Sequence, residues 1–255
     1  INSMPTTGFS ITAESLPMIR EGMAQSATTE YLPAPEVKER MIQVGNGAPD
    51  VKIYVIGAEK GHAKPAILYL HGGGFIFGSA KSDVPYLQAL AAKHNCVIVT
   101  VDYRLAPETP FPGSLEDNYA GLKWLHDNAS ELGVNKSQIA VMGESAGGGH
   151  AAMLAIAARD RGDVPVMQQI LIYPMLDDRT GSTREMPSWM GYGSWNAETN
   201  RLGWSSLLGV PAGSDDVPAG SVPARETNLA GLPPTFIIVG SVDLFVNEDI
   251  DYAQR

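Results

Sequence analysis

The feature that most constrains this chain is a short turn at residues 143–147, whose sequence is Gly-Glu-Ser-Ala-Gly. An apolar run at residues 139–142 precedes it and an Ala-rich segment at residues 147–158 follows it, so we expect a strand, a sharp turn and a helix. A serine at the apex of such a turn takes a strained backbone conformation, and its neighbours at minus two and plus two must be small, as both glycines are here. This layout is typical of a serine nucleophile, although glycine-rich turns also occur in ordinary loops.

Strand and helix patterns alternate along most of the chain. Apolar runs rich in β-branched residues predict strands, and segments with apolar residues at helical spacing lie between several of them. The predicted strands are residues 41–44, 51–56, 66–70, 97–101, 139–142, 169–173 and 235–239, and the predicted helices are residues 84–93, 115–125 and 147–158. Continuous apolar runs suggest strands buried on both faces. The order predicts an α/β protein with a mostly parallel, doubly wound sheet.

Two regions interrupt this alternation, residues 1 to about 40 and residues 177–228. The second is much longer than the usual connection in an α/β fold, and it contains Trp189, Trp195 and Trp204. Composition leaves two interpretations open, a lid over the active site or a surface excursion packed only for stability. The predicted organisation is an N-terminal cap segment (1–40), a core (41–176 and 229–255) and a cap insertion (177–228).

The charge balance argues against several partners. The 255 residues include 28 acidic and 18 basic side chains, a formal net charge of −10 at pH 7. Nucleic acid and anionic membrane surfaces require clustered Lys and Arg, so we expect neither, and no run approaches the roughly 20 apolar residues that cross a bilayer. Cys96, the single cysteine, lies in an apolar run and is expected to be a buried structural thiol. Residues 1–10 show no secretory pattern, and a cytoplasmic protein is predicted.

A second glycine-rich segment, residues 71–74 (His-Gly-Gly-Gly), follows the strand predicted at residues 66–70. Without side chains, its backbone N–H groups can approach a ligand oxygen closely. Such donors stabilise the negative charge that develops on oxygen when a serine attacks an acyl carbonyl, and removal of one donor costs about 10²-fold or more in rate. Alone, the segment could also be a flexible turn or a phosphate loop, but no Lys-Ser or Lys-Thr pair follows it.

Three motifs in order carry a family resemblance: residues 71–74, residues 102–112 (DYRLAPETPFP) and residues 143–148 (GESAGG). With them the chain resembles the bacterial hormone-sensitive-lipase-like esterases, family IV of the α/β-hydrolase superfamily. The resemblance extends from about residue 36 to Arg255. It is weakest in the first 35 residues and in residues 177–228, the parts from which that family builds its cap.

The resemblance implies an α/β-hydrolase fold with a helical cap and a carboxylic ester hydrolase that needs no metal or organic cofactor. It identifies Ser145 as the nucleophile and the backbone N–H groups of Gly73, Gly74 and Ala146 as oxyanion donors, in agreement with the reasoning from the residues themselves. The implied partner is a small-molecule ester with a short to medium acyl chain. Members of the family often dimerise through an edge strand that would follow Arg255, so a homodimer is compatible with the resemblance.

Residues 240–245 look like the acid position of that family, because they follow the strand predicted at residues 235–239. We take Asp243 as the acid that orients the catalytic histidine. A helix is expected to start just after it, where solvated carboxylates suit the helix dipole. The carboxylates interpreted in this way are Glu248, Asp249 and Asp251.

The catalytic base is missing from the expected order of serine, acid and histidine. By analogy with the family the histidine lies about 30 residues after the acid, which places it beyond Arg255. The five histidines present are poor substitutes: His150 lies five residues after the serine on the same helix, a rise of about 7.5 Å, and His71 is expected to brace the glycine loop. Because a serine hydroxyl is a weak nucleophile without a base, residues 1–255 alone are predicted to be inactive or severely impaired.

Three hypotheses follow for the missing base. In the favoured one, the polypeptide continues past Arg255 with a last strand and a histidine loop; the apolar run at residues 236–239 would otherwise lie at an uncovered sheet edge. In the second, the protein is a catalytically inactive small-molecule-binding protein on a hydrolase scaffold, like the plant gibberellin receptors; the intact Ser145 and Asp243 argue against it. In the third, another chain or a cleaved C-terminal piece supplies the histidine in trans.

Aromatic residues close to the motifs predict an apolar pocket for the acyl group. Two follow the glycine-rich segment at residues 71–74, one ends a predicted strand and two lie in the insertion. These candidates are Phe75, Phe77, Tyr173, Trp189 and Trp195.

Overall fold

The computed structural model describes residues 11–26, 30–191 and 195–255, so residues 1–10 of the predicted N-terminal segment lie outside the described part. One sheet of seven strands forms the centre of the described residues. Its strands are β1 (Val37–Ile42), β2 (Val51–Ile56), β3 (Lys64–Leu70), β4 (Val97–Asp102), β5 (Val134–Glu144), β6 (Gln168–Ile172) and β7 (Thr235–Ile238).

The strand order across the sheet is β1-β2-β4-β3-β5-β6-β7. The first two pairs, β1 with β2 and β2 with β4, are antiparallel, and all pairs from β4 to β7 are parallel. The predicted mostly parallel, doubly wound sheet is confirmed. Because β3, β5, β6 and β7 run parallel, their carboxyl ends lie along one edge, the edge at which such sheets bind ligands.

Helices cover the sheet and confirm the three that the sequence predicts, each longer by a few residues at its ends. The central helix is buried on nearly every side, which explains its Ala-rich sequence. The helices are α1 (Leu16–Ser26), α2 (Ala80–His94), α3 (Gly113–Asp127), α4 (Ala129–Leu132), α5 (Ala146–Arg161, the central helix), α6 (Ala197–Leu208) and α7 (Val246–Gln254).

Alternation along the strands sorts side chains into two apolar clusters, one on each face of the sheet. On β3, Leu68 belongs to the larger cluster with residues of α3 and α5, while its neighbour Tyr69 belongs to the smaller cluster with residues of α2. Both side chains are 1% exposed or less. Strands buried on both faces agree with the continuous apolar runs of the sequence.

Strand β7 differs from that expectation. It is the edge strand beside β6, and Phe236 and Ile238 are 50% and 52% exposed. The opposite edge strand, β1, carries Lys38, Glu39 and Arg40 at exposed positions, the charged pattern that protects an edge. Nothing among the described residues pairs with the outer side of β7, and the face of the strand that carries Phe236 and Ile238 is also open to solvent.

The two regions outside the predicted alternation contain helices. The N-terminal segment includes α1, and the sheet already begins at Val37, before the boundary near residue 40 that the sequence suggests. The insertion contains α6 and a short 3₁₀ turn, Pro223–Arg225, and the buried Asp178 carboxylate pairs with Arg225 at 2.8 Å. Trp204 on α6 is fully buried against Phe75 of the core, so the insertion packs directly on the core.

Candidate active site

Ser145 lies between the end of β5 and the start of α5 with φ 53° and ψ −122°, a conformation that only glycine adopts easily. The two flanking glycines make this turn sterically feasible. A Cβ on Gly143 would lie 2.2 Å from the carbonyl oxygen of Gly147, and a Cβ on Gly147 would lie 2.0 Å from that of Leu70. The strand, the sharp turn and the helix are as the sequence predicts.

Backbone hydrogen bonds hold Ser145 in this conformation. Its N–H donates to the Ile172 carbonyl at the end of β6 (2.9 Å). Its carbonyl accepts from the N–H groups of Gly149 (3.1 Å) and Met175 (3.0 Å). The position of the serine is therefore determined by two strands and a helix that the core keeps in place.

The glycine segment after β3 folds back on itself. The Gly73 carbonyl accepts from the N–H groups of Ile76 (3.0 Å) and Phe77 (2.9 Å), and Gly73 and Gly74 have φ of 121° and 57°. A Cβ on Gly74 would lie only 1.9 Å from the ring of Trp195. The indole of the insertion thus covers the glycine loop so closely that no side chain fits between them.

Ala146 is the first residue of α5, so its N–H belongs to the first turn, where donors have no acceptor within the helix. The positive end of the helix dipole lies at the same place and favours a negatively charged oxygen. The loop of Gly73 and Gly74 follows β3, and the turn at Ser145 follows β5. The two strands are neighbours and end at the same level, since Leu70 pairs with Gly143, so the loop and the turn lie side by side.

A stack of rings supports the glycine loop from inside. The ring of His71 lies 4.1 Å from that of Tyr103 and nearly parallel to it, and its Nδ1–H donates to the Gly72 carbonyl at 2.7 Å. The Tyr103 hydroxyl donates to the His71 carbonyl at 2.7 Å, and the His150 ring meets Tyr103 edge-on. Burial lowers the pKa of His71, and it lowers the pKa of His150 to about 3, so both rings are neutral at pH 7.

Asp243 lies in the turn that follows β7. Its Oδ1 accepts from the N–H of Phe245 at 2.9 Å, and its own N–H donates to the Gly240 carbonyl at 3.1 Å. The N–H of Gly191, in the insertion, donates to the carbonyl of Val242 at 3.3 Å. The turn that carries Asp243 is therefore in direct contact with the insertion.

The prediction that the carboxylates after Asp243 lie at a solvated helix start is wrong for Glu248 and Asp249. Each of these residues is 1% exposed. Glu248 Oε1 accepts from the N–H groups of Leu176 (2.6 Å) and Asp177 (3.1 Å), where the chain leaves the core for the insertion. That segment covers the first turn of α7, and burial raises the pKa of both carboxyl groups. Asp251 agrees with the prediction: it is exposed and pairs with Arg255 at 3.2 Å.

Two cavities flank the serine, and both include Ser145 and Tyr173 in their walls. The first, of about 340 Å³, lies on the side of the glycine loop and is lined further by His71, Gly73 and Phe77. The second, of about 420 Å³, lies on the side of the turn that carries Asp243. It is lined further by Trp189, Trp195, Asp243 and Phe245.

Four of the five aromatic residues expected at the pocket line these cavities, and Phe75 does not. Its ring is 1% exposed and lies between His150 and Trp204, with ring centroids 5.0 and 4.8 Å away. Phe75 supports the glycine loop from behind. Sequence reasoning also missed Asp83 of α2, which lines the first cavity beside Glu144; nothing in the local pattern of α2 separates it from an ordinary first-turn acid.

Among the five histidines, His71 is the one that lines either cavity within the described residues. Its Nδ1–H donates to the Gly72 carbonyl and not to an acid, and the cavity that it lines does not include Asp243. The described part of the chain therefore brings Ser145 and Asp243 to the second cavity, which no histidine of that part lines.

Fold and site together define a hydrolase scaffold, and comparison with known proteins agrees. The sequence profile of the alpha/beta hydrolase fold family matches residues 67–255. Esterase LipI of Mycobacterium tuberculosis is 36% identical over 198 residues, which cover 74% of this chain and 59% of LipI. Carboxylesterase NlhH of the same organism is 32% identical over 253 residues, which cover 95% of this chain and 76% of NlhH.

A solved structure described as a bacterial heroin esterase superposes with a TM-score of 0.87 at 36% identity, covering 95% of this chain and 78% of that one. The chain belongs to the alpha/beta hydrolase fold family, in its hormone-sensitive-lipase-like branch. It spans about three fifths of LipI and about three quarters of NlhH. No helix among the described residues is long and apolar enough to cross a membrane.

Proposed function

We propose that this protein hydrolyses carboxylic esters through an acyl-enzyme formed on Ser145. The observation that carries the proposal is the strained serine, with φ 53°, at the junction of two cavities and beside the first turn of a buried helix. The names of the relatives LipI and NlhH, an esterase and a carboxylesterase, support the same chemistry.

In the first step Ser145 Oγ attacks the carbonyl carbon of the ester while a histidine takes its proton. The carbonyl oxygen becomes negative and accepts hydrogen bonds from the N–H groups of Gly73, Gly74 and Ala146. The histidine then gives the proton to the alcohol oxygen, and the alcohol leaves. Water attacks the acyl-enzyme by the same sequence of proton transfers and releases the carboxylic acid.

Asp243 is the proposed acid that orients this histidine. It shares the second cavity with Ser145, and the N–H of Phe245 fixes one of its oxygens while the other remains for a further hydrogen bond. We place the histidine itself outside residues 1–255, because none of the five histidines present lines the cavity that Ser145 and Asp243 share. The alternative in which a second chain supplies it differs only in where that side chain comes from.

The proposed substrates are esters with short to medium acyl chains. Cavities of about 340 and 420 Å³ are large enough for small ligands, and aromatic side chains supply much of their apolar wall. The second cavity, with Trp189, Trp195 and Phe245, offers the larger apolar surface.

The nucleophile is tested by substitution of Ser145 by Ala in the full-length polypeptide. Hydrolysis of p-nitrophenyl acetate and butyrate should fall by about 10³-fold or more, because the acyl-enzyme cannot form. The matched control is Ser130→Ala, at an exposed position outside both cavities, and it should keep the rate. Full turnover by the Ser145 variant would overturn the proposal.

The position of the base is tested separately. Residues 1–255 and the polypeptide purified from its natural source are compared by intact mass and by ester turnover. A larger natural polypeptide that is active where residues 1–255 are not supports a histidine in the additional segment. Full activity of residues 1–255 alone excludes it.

A further inference from the structure

Two carboxyl groups lie in the wall of the first cavity, next to the nucleophile. Asp83 is in the first turn of α2, and Glu144 immediately precedes Ser145 at the end of β5. They come together because β3 and β5 are neighbours and α2 packs over their shared face, as the cluster of Tyr69, Val84 and Met142 shows. Both are only partly exposed.

Neither carboxyl group has a basic partner among the described residues. The salt bridges of that part of the chain include neither Asp83 nor Glu144, and no Lys or Arg lines the cavity. The histidine in the wall, His71, is kept neutral by burial, which lowers its pKa. Glu144 Oε2 accepts a hydrogen bond from the Tyr173 hydroxyl at 2.9 Å.

The two carboxyl groups and their burial change the pKa values of titratable groups in this region. Burial and the charge of Glu144 raise the pKa of Asp83 to about 7. Burial and the charges of Asp83 and Glu144 also raise the pKa of Tyr69, whose buried hydroxyl interacts with both carboxyl groups. His71, which is 2% exposed and belongs to the wall of the cavity, has an Nε2 atom without a hydrogen-bond partner among the described residues. Two carboxyl groups and this acceptor nitrogen lack a positive group that donates hydrogen bonds.

The shape and lining of the cavity indicate which kind of positive group fits. Phe77 and Tyr173 provide aromatic surface, which attracts organic cations. The described residues contain no group of three or more His, Cys, Asp or Glu that could hold a metal ion. An alkylammonium group meets both the carboxylates and the rings without needing such a ligand set.

We propose that the first cavity binds the positively charged ammonium group of the substrate, so that the protein prefers esters that carry a quaternary or protonated amine. This inference rests on the proposed function for its meaning in catalysis, but the binding site itself does not depend on turnover. Asp83 and Glu144 are the residues that determine the preference, and Phe77 and Tyr173 contact the apolar part of the cation.

Binding is tested with two alcohols of the same shape. Choline carries a trimethylammonium group, and 3,3-dimethylbutan-1-ol carries a neutral tert-butyl group in its place. Isothermal titration calorimetry should show that choline binds about tenfold or more tightly, a difference that should shrink as salt is added. Equal affinity for the two alcohols, or no measurable binding of choline, overturns the proposal.

The residues are tested by Asp83→Asn and Glu144→Gln, two independent neutral variants of similar size. Each should reduce the preference for choline by about threefold or more, while affinity for the neutral alcohol changes little. Asp50→Asn is the matched control, because it removes one negative charge at an exposed position outside the cavities. If Asp50→Asn reduced the preference for choline as much as the two cavity variants, net charge would explain the preference and the proposed site would be overturned. Thermal melting verifies that each variant is folded.

Turnover gives a second readout with acetylcholine and 3,3-dimethylbutyl acetate, the corresponding pair of esters. A higher kcat/KM for acetylcholine that falls in Asp83→Asn supports both proposals. Hydrolysis of the two esters at equal rates overturns the cation site alone. Selective binding of choline without hydrolysis of either ester leaves the cation site standing and counts against the proposed esterase.

Discussion

At the scale of single residues, backbone strain is concentrated around Ser145. Phe75, Ser145 and Tyr173 have φ of 68°, 53° and 36°, and side chains at such angles cost on the order of 1–3 kcal/mol each. Each is held by a backbone hydrogen bond to another element: the Phe75 carbonyl accepts from Ala106 N–H (3.0 Å), and Tyr173 N–H donates to the Ile238 carbonyl (2.6 Å). The site is therefore preorganised by its surroundings.

Gly147→Ala should destabilise the protein strongly. The new Cβ would lie 2.0 Å from the Leu70 carbonyl oxygen, so β3 and α5 must separate around Ser145. We expect a loss of about 2–4 kcal/mol in the free energy of unfolding, measured by urea titration, and a larger relative loss of ester turnover.

Gly22→Ala is the control for this substitution. Gly22 lies in α1 with nothing within 4 Å of the position of a Cβ, and alanine favours the helix by up to about 1 kcal/mol. Equal effects of the two substitutions would contradict the steric account of the turn.

At the scale of elements, α7 connects the turn that carries Asp243 with residues 176–177, where the chain leaves the core for the insertion. It begins three residues after Asp243, and Glu248 on its first turn accepts two backbone N–H groups at residues 176–177. Asp249 is buried beside Glu248 with neither carboxylate oxygen in a hydrogen bond to a described residue. A charged form is therefore unfavourable there, and the folded protein keeps a proton on this carboxyl group.

Asp249→Asn should change the dependence of stability on pH. Burial and the charges of Glu248 and Asp243 raise the pKa of Asp249 to about 9, well above the value near 4 of an unfolded chain. The folded state thus holds a proton that the unfolded state releases, so stability is lost as pH rises between those values, by up to about 1.4 kcal/mol per pH unit. The asparagine variant lacks this contribution and should gain stability relative to the parent between about pH 5 and about pH 8.

Urea titrations at both pH values measure this difference. Asp251→Asn, at an exposed position paired with Arg255, should leave the pH dependence within about 0.5 kcal/mol of the parent. The same pH dependence in the parent and in Asp249→Asn would show that Asp249 is ionised in the folded protein.

At the scale of the whole molecule, one arginine ties the N-terminal helix to the site. Arg20 of α1 donates to the carbonyls of Ile76 and Ala106 (2.7 Å each) and pairs with Glu108 at 2.8 Å. Those acceptors belong to the loops after β3 and β4. Since Met23 of the same helix lines the first cavity, this contact positions one wall of the cavity.

Arg20→Ala should release α1 from the core without unfolding the sheet. Three charge-assisted contacts are lost, and we expect amide exchange in α1 to accelerate by about tenfold or more, corresponding to about 1–3 kcal/mol of local stability. Arg40→Ala is the control, because the Arg40 guanidinium donates to the neighbouring Glu39 carbonyl, far from α1 in the sequence, and it should leave exchange in α1 unchanged. Unchanged protection in Arg20→Ala would mean that apolar packing alone holds the helix.

The order of strands and helices, and the turn around Ser145, could be predicted because they depend on local apolar spacing and on glycine positions. The burial of Glu248 could not, since its carboxylate is covered by residues 176–177, which are distant in sequence. The burial of Asp249 likewise follows from the packing of α7 and not from its own sequence. Asp83 reaches the cavity only because α2 packs beside the end of β5, and Phe75 is buried because His150 and Trp204 pack against its ring. Such choices depend on tertiary packing, which local patterns do not encode.

Ser145 and Tyr173 lie on the partition between two separate chambers. In a hydrolase with this layout, the acyl group can stay in one chamber while the alcohol occupies the other. The alcohol then departs without displacing the acyl group, and the vacated chamber becomes the route by which water reaches the intermediate. In the proposed hydrolysis, the acyl group and the departing alcohol would thus occupy different chambers on the two sides of Ser145.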